Sequence, residues 1–395
     1  MLIVGLMSGT SYDAVDVAAA RFRRDGDTLW MSPLGTVGLP FDDALRDAVA
    51  GVLPPGSTTI EAVCRLDTRL GQVFADAAAA GVELAGGAAD LVVSPGQTVF
   101  HWVADGRAMG TLQLGAPSFV AARTGLPVLS DLRGADIAVG GQGAPLVPAF
   151  DALLLAPDPD RPVPDRDGPR AALNLGGIAN LTVVAPDRPV TGYDVGPANA
   201  LIDAAAARYH AAPYDRDGRF AAAGTVDPDL LALLLAEPYL RRPPPKSTGK
   251  ELFHAGYLDD RLAAHGRAVR PDDVIATLTE LTARTVAAEC DRHGVTEVVA
   301  AGGGVRNPVL MSRLRDLGTG RWTLRTTDDW GIPAQAKEAY AFALLGWLSA
   351  HGLPGALPSV TGARTAAVLG SWTPGPPPGP ARRTGGPPRR LRVQS

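Results

Sequence analysis

Residues 2–22 read LIVGLMSGTSYDAVDVAAARF. An apolar run from Leu2 to Met7 breaks into a polar segment, Ser8 to Asp13, and resumes as an apolar-rich run from Val15 to Phe22. That alternation predicts strand, polar turn, strand: a hairpin at the start of the chain. The turn carries Gly9, the hydroxyls of Ser8, Thr10 and Ser11, and the carboxylates of Asp13 and Asp16. Backbone N–H groups and hydroxyls at a tight turn can hold an anion. Asp13 beside them can orient Mg²⁺. On residue types alone an ordinary polar hairpin loop fits equally well, so the rest of the chain decides.

Residues 171–184, AALNLGGIANLTVV, repeat the pattern: apolar strand, small Gly turn, apolar strand. An internal echo of this kind says more than either stretch alone. A third Gly turn, Gly302-Gly303-Gly304, follows an apolar strand at Val295 to Ala301 and precedes a helix at Val309 to Leu317. Glycines there let a flat ligand approach the backbone. Residues 192–199, GYDVGPAN, place Asp194 in a Gly/Pro turn, either as a fixed carboxylate or as a turn-forming Asx residue. A dinucleotide-binding reading fits poorly, because no G-x-G-x-x-G opens a helix after the first strand. Residues 243–251, PPPKSTGKE, form a stiff turn without the Gly spacing of a Walker A loop. Two halves that each open on a Gly-bearing hairpin suit a cleft between two α/β lobes. Such a cleft meets the needs of phosphoryl transfer: N–H groups for phosphates, one carboxylate for Mg²⁺, another to activate a nucleophile.

Between these motifs the pattern predicts a third strand at Thr28 to Leu39 and helices at Phe41 to Val52 and Thr58 to Ala80. The second helix is capped by Thr58 or Thr59. A buried strand ends in Ser94-Pro95-Gly96-Gln97, a strand end of the kind that meets ligands. Residues 130–145, rich in Gly and holding Asp131, Arg133 and Asp136, read as a site rather than a linker. Glu338 opens the last helix, where stabilisation of the helix N-terminus is its first reading and a site role its second.

A chain of 395 residues is comfortable for two cores. With 46% hydrophobic residues, 20% charged residues and a net charge of −4, it reads as a folded protein and not a nucleic-acid binder. No apolar run approaches a membrane span, and no basic segment precedes the first strand, so a cytoplasmic location is expected. Cys64 and Cys290 are expected to be buried thiols without a disulfide or metal role. The region beyond Trp372 is rich in Pro and Gly, with five arginines and no acid, and is expected to be disordered.

The chain also resembles a known family, the anhydro-N-acetylmuramic acid kinases of the sugar kinase/Hsp70/actin superfamily. The resemblance runs from about Leu2 to Gly370. It rests on GLMSGTSYDAVDVA (5–18), GQTVFH (96–101), TLQLG (111–115), GGQGAPLVPAFD (140–151), NLGGIANLT (174–182), GYDVGPANALID (192–203), PPPKSTGKE (243–251), TLTELTA (277–283), GGGVRNPVLM (302–311) and SVTGA (359–363). It implies an α/β, two-lobed, actin-like ATPase (ribonuclease H-like) fold with the active site between the lobes. The expected division is an N-terminal lobe at 1–133, a C-terminal lobe at 134–371 whose last helix packs back on the first lobe, and the tail at 372–395.

The resemblance implies use of ATP and Mg²⁺. Water, activated by an aspartate, opens a 1,6-anhydro sugar while its O6 takes the γ-phosphoryl group. The product is N-acetylmuramic acid 6-phosphate, formed in cell-wall recycling. Carried over by residue, Gly9, Thr10, Ser11, Tyr12, Asp13, Ala14, Val15 and Asp16 match the phosphate loop, with Asp13 at the metal. Asp194 matches the catalytic aspartate and also faces the sugar. Asn174, Gly176, Gly177, Gly302, Gly303 and Gly304 fall in the other nucleotide-facing turns, and Gln97, Arg133 and Asp136 are the expected sugar contacts. The partner is a small anhydrosugar, with no nucleic acid, no membrane and a homodimer as the candidate assembly. A kinase for another anhydrosugar such as levoglucosan, or a non-catalytic nucleotide-binding relative, are the alternatives. Ala14, Pro95 and Ala198 depart from the family pattern, which has Gly, His and Gly there. An alanine requires negative φ at the two former glycines.

Overall fold

A computed structural model describes residues 1–9, 12–156, 168–249 and 251–375. The opening stretch forms the hairpin that its alternation predicts. Strand β1 (Leu2–Met7) pairs antiparallel with β2 (Ala14–Asp25), and β2 with β3 (Thr28–Pro40). Helices α1 (Asp43–Ala50) and α2 (Ile60–Leu84) follow. Asp42 and Thr59 cap them by accepting from the N–H groups of Leu45 and Ala62, which satisfies orphan donors of the first turn. Strand β4 (Leu91–Val93) lies parallel to β1. Strands β5 (Gln97–Ala104) and β6 (Arg107–Leu114) make a separate two-stranded hairpin. Helix α3 (Pro117–Thr124) then leads into β7 (Val128–Ser130), parallel to β4. Short helices α4 (Gly134–Ala138) and α5 (Pro148–Leu154) close this half.

The second half repeats the plan. Strands β8 (Arg170–Leu175), β9 (Ile178–Ala185) and β10 (Arg188–Pro197) form an antiparallel meander. A helical block follows: α6 (Asn199–His210), α7 (Arg219–Ala223), α8 (Pro228–Leu235), α9 (Pro238–Arg241), α10 (Ala255–His265) and α11 (Pro271–Arg292). Strand β11 (Glu297–Ala301) runs parallel to β8. Helix α12 (Pro308–Gly318) leads to β12 (Thr323–Thr326), parallel to β11. The chain ends in α13 (Lys337–Ala350), α14 (Pro358–Thr361) and β13 (Ser371–Thr373).

The described residues therefore build two sheets of one topology. The first runs β3-β2-β1-β4-β7, extended by β13, and the second runs β10-β9-β8-β11-β12. In each, the first three strands are antiparallel and the last two are parallel to the first. This is the duplicated ribonuclease H-like arrangement of a two-lobed actin-like ATPase. Helices cover both faces of the first sheet. Phe74, Leu70 and Val120 of α2 and α3 pack on one side, and Ala339, Ala343 and Trp347 of α13 pack on the other. Helices α11 and α12 cover the second sheet through Val286, Leu310 and Leu314.

Helix α13 reaches the first sheet because small residues meet there. A Cβ on Gly5 would lie 2.1 Å from the Ala339 carbonyl and 2.8 Å from the Ala343 nitrogen. Only glycine in β1 admits the helix backbone at that separation. This contact carries Glu338, at the start of α13, to the end of the first hairpin.

Several sequence expectations change. Asp194 lies inside β10, not in a turn, beside a register shift between Asp194 and Gly196. Trp372 and Thr373 belong to β13, paired antiparallel with β7, so the strand takes two residues that composition assigned to the tail. The rest of the tail from residue 376 lies outside the described residues. Cys64 is exposed on α2, whereas Cys290 is buried. Among the described residues no helix is long and apolar enough to cross a membrane.

Candidate active site

The three Gly-bearing turns converge where the sheets face each other. Asn174, next to last in β8, is in register with Ala301, the last residue of β11. Gly302 follows with φ +88°, and a Cβ there would lie 2.5 Å from Asn174 Oδ1. Both its backbone and its packing exclude a larger residue. The next residue, Gly303, has no atom within 4 Å of its would-be Cβ, so its surface is open for a ligand. The turn at Gly176 and Gly177 is tied to the start of α6. Asn199 Nδ2 donates to the carbonyls of Leu175 (3.0 Å) and Gly176 (2.8 Å), and the N–H groups of Ala198 and Ala200 donate to Gly177. Ala198 has φ −113° and ψ −100°, a negative φ open to alanine but a ψ outside the regular α and β regions.

In the first hairpin, Ser8 Oγ donates to Gln97 Oε1 (2.6 Å) and Gln97 Nε2 donates to the Gly9 carbonyl (3.3 Å). Gln97 is only 2% exposed. It therefore braces the loop after β1, its amide held by Ser8 and Gly9 where a sugar contact was expected. Thr10 and Ser11 lie outside the described residues. Tyr12 turns the chain with φ 41° and donates its N–H to Gly9. Ala14 starts β2 in extended backbone, where the family glycine is not needed. The Val15 side chain is buried in the core, so only its backbone faces the loop.

Asp16 opens to the cleft at the start of β2. Desolvation, reinforced by the negative charges of Asp13 and Glu338, pushes its carboxyl up to about 6. Burial likewise raises the Glu338 carboxyl, while Lys337, a hydrogen bond from Asn174 and Arg133 hold it down. Three carboxylates thus share one region with excess negative charge, and a divalent cation fits that donor set.

From Glu338 a hydrogen-bonded chain crosses the second sheet. Asn174 Nδ2 donates to Glu338 Oε1 (2.9 Å) and to Asn180 Oδ1 (3.2 Å). Asn180 Nδ2 donates to Asp194 Oδ1 (2.7 Å). The three strand residues are cross-strand neighbours, Asn174 with Asn180 and Asn180 with Asp194, so their side chains share one face. The other carboxylate oxygen, Asp194 Oδ2, accepts from Ser247 Oγ (2.7 Å) and from the Thr248 N–H (3.0 Å). Three donors thus fix a carboxylate that retains a free lone pair on Oδ1, the arrangement a general base requires.

An arginine and a histidine line the adjoining wall. Arg133 donates to the Gly143 carbonyl (3.0 Å). Burial lowers the pKa of its guanidinium, against the attraction of Glu338. His101, on the inner face of the β5–β6 hairpin, is held below its ordinary value by burial and by the charge of Arg133. Asp136 does not join them. It is 0% exposed, accepts from Gly143 N–H (2.8 Å) and Thr361 Oγ (2.8 Å), and braces the Gly-rich loop from inside. Its expected sugar contact is replaced by this structural role, because both oxygens are sealed from the cleft.

Outside the expected residues the site includes Asn180, Ser247, Thr248, His101 and, in its second reading, Glu338. One signal was available for Asn180. Asparagine is disfavoured in strands, yet Asn174 and Asn180 stand symmetrically about the Gly turn in an otherwise apolar hairpin.

The family model described as anhydro-N-acetylmuramic acid kinase matches residues 1–375. This chain belongs to the anhydro-N-acetylmuramic acid kinase family. A relative of that name from Streptomyces coelicolor is 56% identical over 397 residues, covering 100% of this chain and 99% of that protein. Another from Streptomyces avermitilis is 56% identical over 95% of each chain. Among solved structures, component A of (R)-2-hydroxyglutaryl-CoA dehydratase from Acidaminococcus fermentans covers 87% of this chain at 13% identity, with a TM-score of 0.40. At that score it adds nothing to the topology described above. Family membership agrees with the convergence of the glycine turns and of Asp194 on one cleft.

Proposed function

We propose that the cleft phosphorylates 1,6-anhydro-N-acetylmuramic acid with ATP, using Asp194 as the base. The observation that carries this reading is the carboxylate of Asp194, oriented from both sides and facing the region of the glycine turns. Asp194 takes a proton from water as the water oxygen bonds to the anomeric carbon. The bond from that carbon to O6 breaks, and its electron pair stays on O6. O6 bonds to the γ-phosphorus as the bond to the ADP oxygen breaks. The product is N-acetylmuramic acid 6-phosphate, which fits a role in cell-wall recycling in the cytoplasm, where ATP is available.

The phosphates are assigned to the loop from Gly9 to Asp16 and to the turns at Gly176-Gly177 and Gly303. Asp13 and Asp16 would hold Mg²⁺, which when bound neutralises phosphate charge. The purine is assigned to a cavity of about 700 Å³ between α7, α11 and α12, lined by Ala221, Val226, Ala276, Thr279, Val309 and Arg313. Pro308 and Val309 join that cavity to the Gly302–Gly304 turn. Its apolar walls suit a flat base, and its polar lining comes from Thr279, Ser312, Asp316 and the ion-paired Glu280, Arg284 and Arg313. Arg133, with His101 beside it, favours a sugar bearing a carboxylate, as the lactyl ether of the muramic substrate does, over an uncharged anhydrosugar.

The test is Asp194→Asn. Turnover of the anhydrosugar is expected to fall at least ~10²-fold, with ATP affinity by calorimetry unchanged. Turnover at the native rate removes Asp194 as the base.

A further inference from the structure

The segment 243–249 lies outside regular structure and straps the exposed edge of β10. Its two functional contacts, Ser247 Oγ and Thr248 N–H, both end on Asp194 Oδ2. The residue before them turns the opposite way. The Lys246 side chain is 2% exposed, and its ammonium is 2.9 Å from Glu289 Oε1 on α11. The ammonium also lies over the rings of Tyr239 (5.2 Å) and Tyr193 (5.6 Å). The other oxygen of Glu289 accepts from Tyr193 OH (2.9 Å) and pairs with Arg292 (3.0 Å).

These anchors surround the backbone of Asp194. Asp194 N–H donates to the Lys246 carbonyl (3.3 Å), and Tyr239 OH donates to the Asp194 carbonyl (2.7 Å). Tyr193 precedes Asp194 on β10, so its side chain goes to the α11 face while that of Asp194 goes to the cleft. The strap therefore crosses the sheet edge with a pinned cation on one face and two donors on the other.

A buried ion pair is a poor device for stability, because desolvating both charges cancels most of their attraction. What it supplies is a fixed position. We infer that Lys246 is a positioning residue for the reaction: pinned by Glu289, it sets the strap so that Ser247 and Thr248 hold the Asp194 carboxylate in its reactive orientation. This rests on Asp194 being the base. Neither Lys246 nor Glu289 touches the cleft, so the effect passes wholly through the strap.

The experiment is a double-mutant cycle on kcat with Lys246→Met and Ser247→Ala, in the full chain with ATP and the anhydrosugar. Lys246→Met is expected to lower kcat about tenfold or more, with KM for the sugar and Kd for ATP held within about twofold. Ser247→Ala is expected to cost several-fold in the native background and almost nothing in the Lys246→Met background, since the displaced strap no longer presents Ser247. A purely structural role predicts that the two factors multiply, and that result overturns the inference. So does an unchanged kcat for Lys246→Met. The double variant Lys246→Met/Glu289→Gln removes both charges and guards against misfolding by an unpaired Glu289. It should show the same loss of kcat with native ATP affinity, and native kcat in that variant also overturns the inference. Asp194→Asn separates the two levels. If it retains turnover, the base assignment fails; if it is inactive while the cycle multiplies, only the role of Lys246 fails.

Discussion

Asn174 and Glu338 are 164 residues apart in the chain and 2.9 Å apart in the fold. One belongs to the second sheet. The other opens the helix that lies on the first. Their hydrogen bond joins the carboxylate cluster at Asp16 to the chain that ends on Asp194. The Asn174 amide donates to both Glu338 and Asn180, so the strand face relays one orientation across the cleft.

Asn180 tests that relay. Asn180→Leu removes the donor to Asp194 Oδ1 while keeping a similar volume. A hydrogen bond to a charged group contributes roughly 1.5–3 kcal/mol, so kcat should fall by at least about tenfold, with ATP affinity unchanged. Steady-state kinetics alongside calorimetry check this, and native kcat would show that Ser247 and Thr248 suffice to orient the base.

Gly303 separates ligand approach from folding. A Cβ there meets nothing within 4 Å, so Gly303→Ala should keep the native melting temperature. The added methyl would intrude where phosphate is assigned, and the Kd for ATP should rise by about tenfold or more, on the order of 1.4 kcal/mol. An unchanged Kd would move the phosphates away from this turn.

Arg133 is the group expected to read the substrate carboxylate. Arg133→Met should raise KM for the anhydromuramic substrate by about tenfold or more, as loss of a charge-assisted contact does. It should leave KM for an anhydrosugar without a carboxylate unchanged. Equal effects on both sugars would assign Arg133 to shaping the Gly143 loop instead.

Asp136 and Lys337 are expected to act on stability. Asp136→Ala strands the Gly143 N–H in the interior and leaves the Thr361 hydroxyl only the Leu357 carbonyl at 3.4 Å, at a cost of about 1–3 kcal/mol, with KM for the sugar near native. Lys337 is 2% exposed and 2.9 Å from Asp151, which also accepts from Thr182. Lys337→Met leaves that carboxylate buried and unpaired, a loss of about 3–5 kcal/mol. Denaturant unfolding measures both. Native stability in Lys337→Met would mean that water reaches Asp151.

Much of this was legible in the chain. Strand and helix periodicity located β1, β2, α2, α11 and α13, and the twin Gly hairpins announced two lobes of one topology. These features are local: an apolar face of period 2 or 3.6, a cap, a glycine turn. Asp194 was legible as a carboxylate in a small-residue segment, but not as a strand residue, because Gly and Pro mark a turn and a β-bulge alike.

What only the tertiary structure decided is which polar side chains meet. Gln97 and Asp136 have the residue types of sugar contacts, yet both are buried and spend their hydrogen bonds on loops from other segments. Glu338 has the placement of a helix-stabilising acid, yet α13 packs so closely on Gly5 that its carboxylate enters the cleft. The sequence by itself determined the two lobes, the glycine turns and the presence of a candidate base. The partners of that base come from a neighbouring strand, a strap and a distant helix. Sequence spacing carries no distance between such segments, so only packing could choose them.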